Sequence, residues 1–254
     1  MENAIENITK QEKIEKTAII IPARLNSSRL KNKLLLEAKG KPVIQWVYEA
    51  ATKAKLASQV IVACDSKEIY SAVKNFGGNV EMTSNEHKSG SDRIAEVAKR
   101  HPEIEYVLNL QGDEPQMSPD VIDSLIEALH NSDADISTLV RKITSKEQIE
   151  SPNCVKCVFT KENLALYFSR HPIPYPRNEE EAEYFAHIGM YAYKRESLLK
   201  MTSLPMAMIE KTESLEQLRA LYNGMTIKII QTNLNPVGID TIQDFEKFKN
   251  IVEG

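Results

Sequence analysis

Four cations lie close together near the start of the chain, in a segment that could bind phosphate groups. Arg24, Arg29, Lys31 and Lys33 fall within ten positions, and two serines stand between them. Like charges repel at short range, so such a group needs polyanions to join its members or water to separate them. One interpretation is a solvated basic turn, because charged loops usually lie at the surface. The other is a phosphate site.

The residues before these cations favour the phosphate site. The run Ala18-Ile-Ile-Ile21 is uniformly apolar, which is typical of a strand buried on both faces of a parallel sheet. We expect Pro22 to end its pairing, because proline has no backbone N–H to donate. Ligands of open α/β sheets bind beyond the carboxyl ends of the strands, where this loop begins. The loop contains no glycine and matches neither common phosphate motif, so side chains would hold the phosphates.

Two aspartates could complete such a site by holding Mg²⁺. Asp113 lies in Gln111-Gly-Asp-Glu-Pro115, at the end of a predicted strand, and Mg²⁺ usually takes one or two protein carboxylates plus substrate oxygens. The alternative is a simple turn before a helix. Asp240 comes just before a predicted C-terminal helix, so it is either the N-cap of that helix or a second carboxylate for the same ion. Spacing leaves both possibilities open.

A third constellation is the loop His87-Lys-Ser-Gly-Ser-Asp-Arg93, which leads into a helix predicted over Ile94–Lys99. Gly90 permits close approach of the backbone to a ligand, and a helix N-terminus presents free N–H groups. The loop is therefore either a backbone-lined pocket or a polar loop with a capped helix.

The second half of the chain offers groups that could bind a carboxylate. Arg170 and His187 could do so together, since arginine presents planar, bidentate donors. Glu216, Gln217 and Arg219 fall on a predicted helix, where an exposed polar face is the simpler explanation for them.

Cys154 and Cys157 have the C-x-x-C spacing, but they fall in a segment that is predicted to be a strand. Residues three apart in a strand point to opposite faces. We therefore expect neither metal binding nor redox chemistry from this pair.

Composition indicates a water-soluble enzyme rather than a nucleic-acid or membrane protein. The 254 residues are 42% hydrophobic and 27% charged, with a net charge of -4, whereas bulk nucleic-acid binding needs a basic face. No segment approaches the ~20 apolar residues of a membrane span, and Met1–Lys16 lacks a signal-peptide core. With only three cysteines, the chain fits a reducing compartment, so we expect a cytoplasmic location.

Strands alternate with helices in the first half, which predicts an α/β fold with a mostly parallel sheet. From Asp135 the pattern becomes more β-rich, which indicates a smaller α+β part. We predict a flexible extension over residues 1–16, an α/β core over 17–134, the smaller part over 135–225 and a return to the core over 226–254. The predicted strands are 18–22, 59–64, 80–82, 105–111, 136–140, 155–159, 187–193 and 227–231. The predicted helices are 42–56, 66–76, 94–99, 119–130, 215–222 and one from Thr241.

Taken in order, the motifs resemble those of the 3-deoxy-manno-octulosonate (Kdo) cytidylyltransferases, or CMP-Kdo synthetases, from about Ala18 to the C-terminus. The matching segments are Ile20-Ile-Pro-Ala-Arg24, Ser28-Arg-Leu30, Gly40-Lys-Pro42, His87 to Arg93, Asn109 to Pro115, Ala165 to Arg170, His187-Ile-Gly189, Leu215 to Arg219 and Gly238-Ile-Asp240. Each motif alone is weakly specific, but their joint order and spacing are highly specific.

The resemblance implies a Rossmann-like nucleotidyltransferase sheet with helices on both faces. The implied reaction joins CTP to Kdo, with Mg²⁺ present, and gives CMP-Kdo and pyrophosphate for lipopolysaccharide biosynthesis. The family is also known as a homodimer whose smaller α+β part makes much of the contact. Partners other than these small molecules and a second copy are not expected.

The resemblance also assigns roles to individual residues. The implied catalytic residues are Arg24, Lys33, Asp113 and Asp240, and the two aspartates would bind Mg²⁺. The nucleotide would contact Pro22, Ala23, Arg24, Arg29, Lys33, Ser89, Gly90, Asp92 and Arg93. The sugar acid would contact Gln111, Arg170, His187, Tyr191, Glu216 and Gln217.

Two alternatives to this function stay open. One is a cytidylyltransferase for a related acidic sugar, such as 8-amino-Kdo or a sialic-acid-like nonulosonate. The other is a non-catalytic nucleotide-binding dimer. The chain also departs from the family at one point, because it has Lys31-Asn-Lys33 where the family usually has Pro-Gly-Lys.

Overall fold

The computed structural model of the protein describes residues 10–26, 30–235 and 238–254. These residues form two compact units. Unit 1 comprises the described residues up to Ile126 together with residues 238–254, and unit 2 comprises Glu127–Asn235. Within the described ranges, no helix combines the length and the apolar character that crossing a membrane requires.

The secondary structure alternates between strands and helices along most of the chain. The strands are β1 (Thr17–Ala23), β2 (Glu37–Ala38), β3 (Lys41–Pro42), β4 (Gln59–Cys64), β5 (Val80–Met82), β6 (Tyr106–Asn109), β7 (Ile136–Ile143), β8 (Lys156–Phe159), β9 (Ala165–Ser169), β10 (Tyr184–Lys194) and β11 (Ile227–Gln231). The helices are α1 (residues 10–15), α2 (Val43–Ala51), α3 (Lys67–Asn75), α4 (Gly90–Arg100), α5 (Pro119–His130), α6 (Lys146–Glu150), α7 (Arg195–Ser203), α8 (Met208–Glu213), α9 (Gln217–Tyr222) and α10 (Ile242–Glu253). Short 3-10 helices lie at Lys33–Leu35 and Glu179–Glu181.

Unit 1 is built on a parallel sheet in the order β6-β1-β4-β5. The central strand β1 is buried along almost its whole length, as its uniformly apolar sequence predicts for a strand covered on both faces. The α/β fold with a mostly parallel sheet is therefore confirmed. Helix α10 packs against α2 through Trp46 and Phe248, whose rings lie 5.8 Å apart in an edge-to-face arrangement.

The structure corrects the prediction that Pro22 ends the pairing of β1, because the ladder to β4 continues through Ala23. The carbonyl of Ile20 accepts the N–H of Leu110, just beyond β6. Alternate residues of a strand direct their backbone groups to the same side, so the nitrogen of Pro22 also faces β6. Pairing with β6 has already ended at Ile20, so the missing N–H costs no ladder bond.

Part of the predicted N-terminal extension has regular structure, and its flexibility stays a prediction. Residues 10–15 are helical, the hydroxyl of Thr17 donates to the carbonyl of Lys13 at 2.6 Å, and Lys16 forms an ion pair with Glu105 at 2.7 Å. The ion pair joins the end of α1 to the residue before β6, within unit 1. Residues 1–9 lie outside the described part of the chain.

Unit 2 contains a mixed sheet in which β7 lies between β11 and β10. β11 runs parallel to β7, whereas β10 pairs with β7 and with β8 in the antiparallel sense, and β8 continues to β9. The sequence assigned β11 to a segment returning to the core, but its pairing partner is β7 and it belongs to unit 2. β9 was not predicted. The pairing of β10 shifts between Ile188 and Tyr191, which marks a bulge.

Candidate active site

Lys33 lies between two carboxylates that come from distant parts of the chain. Its ammonium group forms ion pairs with Asp113 and with Asp240, the latter at 3.1 Å from Oδ1. Asp113 follows β6, Asp240 precedes α10 and Lys33 begins the 3-10 helix after the cationic loop. Three of the four predicted catalytic residues are thus brought together in unit 1.

The backbone around Asp240 explains why its carboxylate faces Lys33. Thr241 is the N-cap of α10, because its Oγ1 accepts the N–H of Asp244 at 3.2 Å, and the Asp244 carboxylate accepts the N–H of Thr241 in return. The alternative that Asp240 is the N-cap is therefore wrong. The N–H of Ile239 donates to the carbonyl of Asp113 at 2.9 Å, which ties the two aspartate segments together.

Glu114 is a residue of this cluster that the sequence reasoning passed over. Its Oε2 atom is enclosed and has no hydrogen-bond partner among the described residues. Burial, together with the charges of Asp113 and Asp240, raises the pKa of Glu114 to about 7. Its position directly after Asp113 in the sequence is the feature that could have identified Glu114 as part of the cluster.

These carboxylates fit a hard, oxygen-seeking cation such as Mg²⁺. The carboxylates of Asp113 and Asp240 converge on the ammonium group of Lys33. Among the described residues, no group donates a hydrogen bond to the enclosed Oε2 atom of Glu114. Over the described ranges, no group of three or more histidine, cysteine or acidic side chains is arranged to hold a metal by itself. A Mg²⁺ ion here would need oxygen atoms from a substrate to complete its shell, which is its usual habit with phosphates.

A cavity of about 250 Å³ opens beside β1 within unit 1. It brings together the loop after β1 and the start of α4, as expected for ligand binding beyond the carboxyl ends of parallel strands. Gly90 leaves room in its wall, because a Cβ atom there would lie 3.3 Å from the ring of Pro22. The lining residues are Pro22, Arg24, His87, Lys88, Ser89, Gly90, Arg93 and Gln111.

The start of α4 forms one wall of this cavity. The sequence left open a backbone-lined pocket or a capped helix, and the structure has both features here. The helix begins at Gly90 rather than Ile94, and Ser89 is its N-cap, accepting the N–H of Asp92 at 3.1 Å. The capped helix therefore also borders the pocket. Asp92 occupies the first turn, where a carboxylate interacts favourably with the helix dipole.

Arg93 lines the cavity, yet most of its contacts are internal. Only 3% of the residue is exposed, and its guanidinium pairs with Asp65 at 3.0 Å and donates to Thr83 Oγ1 at 2.6 Å. Asp65 also accepts the N–H of Leu25, just after Arg24, at 2.9 Å. Asp65 thus ties the cationic loop to α4. Sequence reasoning considered it for capping α3, a role that Ser66 performs.

The Lys31-Asn32 departure from the family pattern has a conformational explanation. Asn32 has a φ of 54° and a ψ of 28°, in the left-handed region. Glycine adopts this region freely, and asparagine is among the few other residues that do so readily. Asn32 is therefore suited to the left-handed turn that directly precedes Lys33. Arg29 lies outside the described residues, so no contact is assigned to it.

Gln111 stands apart from the other residues that the resemblance assigns to the sugar acid. It lies in unit 1 and lines the cavity with Arg24 and Gly90, and its amide nitrogen is 3.3 Å from Asn109 Oδ1. The remaining five belong to unit 2.

His187 and Tyr191 flank the bulge of β10 in unit 2. The His187 ring packs edge-on against Phe168 at 4.9 Å and lies 5.4 Å from the Tyr191 ring, while its Nε2 contacts the hydroxyl of Thr138 at 3.1 Å. Desolvation lowers the pKa of His187 to about 3, so the imidazole is neutral at pH 7. Desolvation also raises the pKa of Tyr191, which keeps its phenol protonated.

Arg170 is held by backbone carbonyls instead of carboxylates. Its Nε donates to the carbonyl of Glu213 at 2.7 Å, Nη1 to that of Pro152 at 2.9 Å and Nη2 to that of Ser214 at 3.3 Å. A guanidinium carries one N–H on Nε and two on each terminal nitrogen. Among the residues that the structure describes, each terminal nitrogen thus makes one hydrogen bond and keeps a second N–H that a carboxylate could accept.

The polar residues around α9 do not form an exposed face, so that simpler explanation is wrong. Gln217 is only 6% exposed, and its amide Nε2 is enclosed without a hydrogen-bond partner in the described structure. Arg219 is also buried and forms an ion pair with Glu210 at 2.6 Å, and Glu216 lies 3.9 Å from the same guanidinium. Neutralisation by Glu210 allows the charge of Arg219 to be buried.

Cys154 and Cys157 are separate thiols in unit 2. Cys154 is half-buried and Cys157 is buried at the start of β8. Burial raises the pKa of the Cys157 thiol, which makes it a poor nucleophile.

The whole sequence was compared with the sequence models of known protein families. The sequence model described as cytidylyltransferase matches residues 18–227. The chain belongs to this family. Among curated relatives of this cytidylyltransferase, the 3-deoxy-manno-octulosonate cytidylyltransferase of Rhodopirellula baltica is 45% identical over 94% of this chain and 99% of its own. The protein of the same name from Fusobacterium nucleatum is 44% identical over 92% and 96%.

A solved structure gives the same result for the fold of this cytidylyltransferase. The structure of a CMP:2-keto-3-deoxy-manno-octonic acid synthetase complexed with CTP is similar to it with a TM-score of 0.90. Sequence identity is 41%, and the match covers 94% of this chain and 99% of the other. The resemblance predicted from the sequence motifs is therefore confirmed.

Proposed function

We propose that this cytidylyltransferase joins CTP to Kdo and releases CMP-Kdo and pyrophosphate, a step in lipopolysaccharide biosynthesis. The observation that carries the proposal is the convergence of Asp113 and Asp240 on Lys33. The cluster supplies both a cation for phosphate oxygens and carboxylates for a metal. Relatives that are 44–45% identical over nearly their full length are named for the same reaction, which supports the choice of substrates.

In this reaction the anomeric hydroxyl of the sugar acid attacks the α-phosphate of CTP while pyrophosphate leaves. Such phosphoryl transfers depend on positioning and charge stabilisation more than on a covalent nucleophile. Lys33 and Arg24 stabilise the charge that develops on the departing pyrophosphate. The start of α4 lines the cavity, where the positive end of the helix dipole favours phosphate charge.

Asp113 and Asp240 are the proposed ligands of Mg²⁺, with Glu114 as a further carboxylate beside them. The bound ion would neutralise phosphate charge and lower the pKa of the attacking hydroxyl. The two aspartates also hold the ammonium group of Lys33 at this place, which orients it before substrate binds.

The polar groups of unit 2 are the proposed contacts of the sugar acid, and the assignment of Gln111 in unit 1 stays a separate prediction from the resemblance. Arg170 binds the carboxylate through its remaining N–H groups, and the unpaired amide of Gln217 donates to a sugar hydroxyl. Tyr191 and Glu216 offer further hydrogen bonds. Neutral His187 can accept or donate a hydrogen bond without adding charge.

Assembly and location complete the proposal. A homodimer that forms through the second half of the chain, and a cytoplasmic location, remain predictions. The homodimer is predicted from the resemblance, and the cytoplasmic location is predicted from the composition.

Pyrophosphate release tests the proposed reaction. The enzyme is mixed with Mg²⁺ and CTP and with Kdo, 8-amino-Kdo or N-acetylneuraminate, and each reaction is repeated with UTP and ATP. We expect the highest kcat/KM with CTP and Kdo, and almost no release with ATP. Preference for another sugar acid would identify a related cytidylyltransferase. No release with any pair would indicate a non-catalytic nucleotide-binding protein.

A further inference from the structure

Lys156 is a cation that the proposed reaction does not use, and it is completely buried. Its relative exposure is 0%, although it opens strand β8 in unit 2. Lysine is almost never fully buried unless its charge is paired. Such a position therefore calls for a specific partner or a specific purpose.

The partners of Lys156 are backbone carbonyls. Its Nζ donates to the carbonyls of Arg170 and Cys154, both at 2.7 Å, and to that of Ser151 at 2.9 Å. These contacts use all three N–H donors of the ammonium group. Burial lowers the pKa of Lys156, and the three carbonyls offset part of that desolvation.

All three carbonyls belong to segments that hold Arg170. One is the carbonyl of Arg170 itself, and the other two flank Pro152, whose carbonyl accepts the Arg170 guanidinium at 2.9 Å. The segment Ser151–Cys154 therefore lies between two cations and contacts both. Any shift of the Lys156 ammonium would move the backbone and the side-chain support of Arg170 together.

Glu213 completes the arrangement from the other side. Its carboxylate accepts the N–H of Arg170 at 2.9 Å and the hydroxyl of Ser169 at 2.7 Å. The Glu213 carboxylate thus supports the backbone of Arg170, and the formal charges of Lys156, Arg170 and Glu213 sum to +1. A net positive group with donors remaining on Arg170 suits an anionic ligand.

We propose that Lys156 is a positioning residue for the sugar-acid carboxylate, acting by fixing both the backbone and the guanidinium supports of Arg170. This inference rests on the proposed function, in which Arg170 binds that carboxylate. Lys156 itself does not touch the substrate.

A purely structural role predicts a different result from a positioning role. The nucleotide residues lie in unit 1, whereas Lys156 and Arg170 lie in unit 2. Loss of positioning should weaken the binding of the sugar acid and leave the binding of CTP unchanged. General destabilisation should weaken the binding of both substrates.

The test compares Lys156→Met, which removes charge and donors, with Lys156→Gln, which removes charge but keeps two donors. We expect the KM for Kdo to rise about tenfold or more in Lys156→Met and less in Lys156→Gln. The KM for CTP should change less than about twofold and kcat less than about threefold. A tenfold change corresponds to about 1.4 kcal/mol, close to the lower limit for a hydrogen bond to a charged group.

Lys228→Met is the matched control. Lys228 also lies in unit 2 and donates to a backbone carbonyl, that of Glu162, at 2.7 Å. Its side chain is not among the groups that hold Arg170. We expect both KM values to stay within about twofold of the wild type.

Each outcome decides between the two roles. An unchanged KM for Kdo in Lys156→Met, or equal increases for Kdo and CTP, overturns the proposal. Loss of CTP binding in both Lys156 variants also overturns it, because Lys156 would then serve the fold as a whole. If the wild type uses a different sugar acid, the proposed substrate is wrong, and the same comparison is made with the acid that it uses.

Discussion

The ammonium group of Lys33 lies 3.1 Å from Oδ1 of Asp240, although the two residues are 207 positions apart in the chain. The contact closes unit 1 by bringing the segment before α10 to the loop after β1. It also places Asp240 beside Asp113, which the same ammonium group contacts. One lysine thus gathers two carboxylates that the linear sequence leaves far apart.

Neutralising either aspartate should impair catalysis more than folding. For Asp113→Asn and Asp240→Asn we expect turnover to fall about a hundredfold or more, the scale for removing one preorganised electrostatic group. The reason is that an amide binds Mg²⁺ and orients Lys33 less well than a carboxylate. Steady-state kcat, measured across a range of Mg²⁺ concentrations, checks this prediction, and near-normal turnover at saturating Mg²⁺ would contradict the metal role.

Asp244→Asn is the matched control for Asp240. Asp244 belongs to the capping box of α10. Its carboxylate accepts the N–H and hydroxyl of Thr241 and the backbone N–H of Asp240, and the oxygen of an asparagine side chain can still accept such bonds. The substitution should cost about 1 kcal/mol of unfolding free energy and leave kcat unchanged. A loss of turnover equal to that of Asp240→Asn would show that the position of α10, and not the Asp240 carboxylate, controls the rate.

Removing Asp65 should destabilise unit 1 and loosen the nucleotide cavity. Asp65→Ala leaves the guanidinium of Arg93 without its carboxylate, and breaking a buried pair from one side typically costs about 3–5 kcal/mol. The N–H of Leu25 also loses its acceptor, so the KM for CTP should rise. Urea unfolding and CTP kinetics together measure the two effects.

Asp123→Ala is the control that separates the loss of the buried Asp65–Arg93 ion pair from the loss of a carboxylate that accepts backbone N–H groups. The Asp123 carboxylate accepts the N–H groups of Lys55 and Leu56, both at 2.9 Å, much as Asp65 accepts that of Leu25. We expect a cost of about 1 kcal/mol and an unchanged KM for CTP. If both variants lose the same free energy, the buried pair with Arg93 contributes nothing beyond the backbone contact.

Arg170→Ala should separate the two substrates. Because Arg170 supplies the proposed carboxylate clamp in unit 2, the KM for the sugar acid should rise about a hundredfold, or roughly 3 kcal/mol for a charged hydrogen-bonded pair. The affinity for CTP should change little. Titration of each substrate at saturating concentrations of the other gives both values, and equal losses would refute the assignment.

His187 should make the protein less stable in mild acid. Its pKa is about 3 in the folded protein and about 6.5 in an unfolded chain, so the unfolded state binds more protons between these values. Stability is therefore lost as the pH falls below about 6.5. We expect a loss of about 1–2 kcal/mol between pH 7 and pH 5 that is absent in His187→Gln, measured by urea unfolding at each pH.

His101 provides a control of opposite sign. Hydrogen bonds to Glu81 and Glu103 raise the pKa of His101, so its contribution is present in acid and is lost as the pH rises through the folded-state pKa. His101→Gln should therefore make the acid-side loss steeper. A flattened profile in this variant would mean that His187 is not the group responsible.

Much of the fold follows from local sequence patterns. Strands β4, β5 and β11 and helix α5 have the predicted bounds, because their apolar periodicity and their flanking turn residues act within a few positions. β9 escaped prediction because its residues Ala165–Ser169 are mostly half-buried or exposed and show no clear alternation. Its strand conformation depends on pairing with β8, which local patterns do not encode.

The sequence by itself determined the family, the cationic loop and the candidate carboxylates, because residue types and their order carry that information. Tertiary structure decided what each group contacts. It made Thr241 the N-cap, which leaves Asp240 for Lys33, and it buried Arg93 against Asp65 and Lys156 against three carbonyls. The physical reason is that burial and charge pairing depend on residues brought together by the whole fold, whereas periodicity and capping act locally.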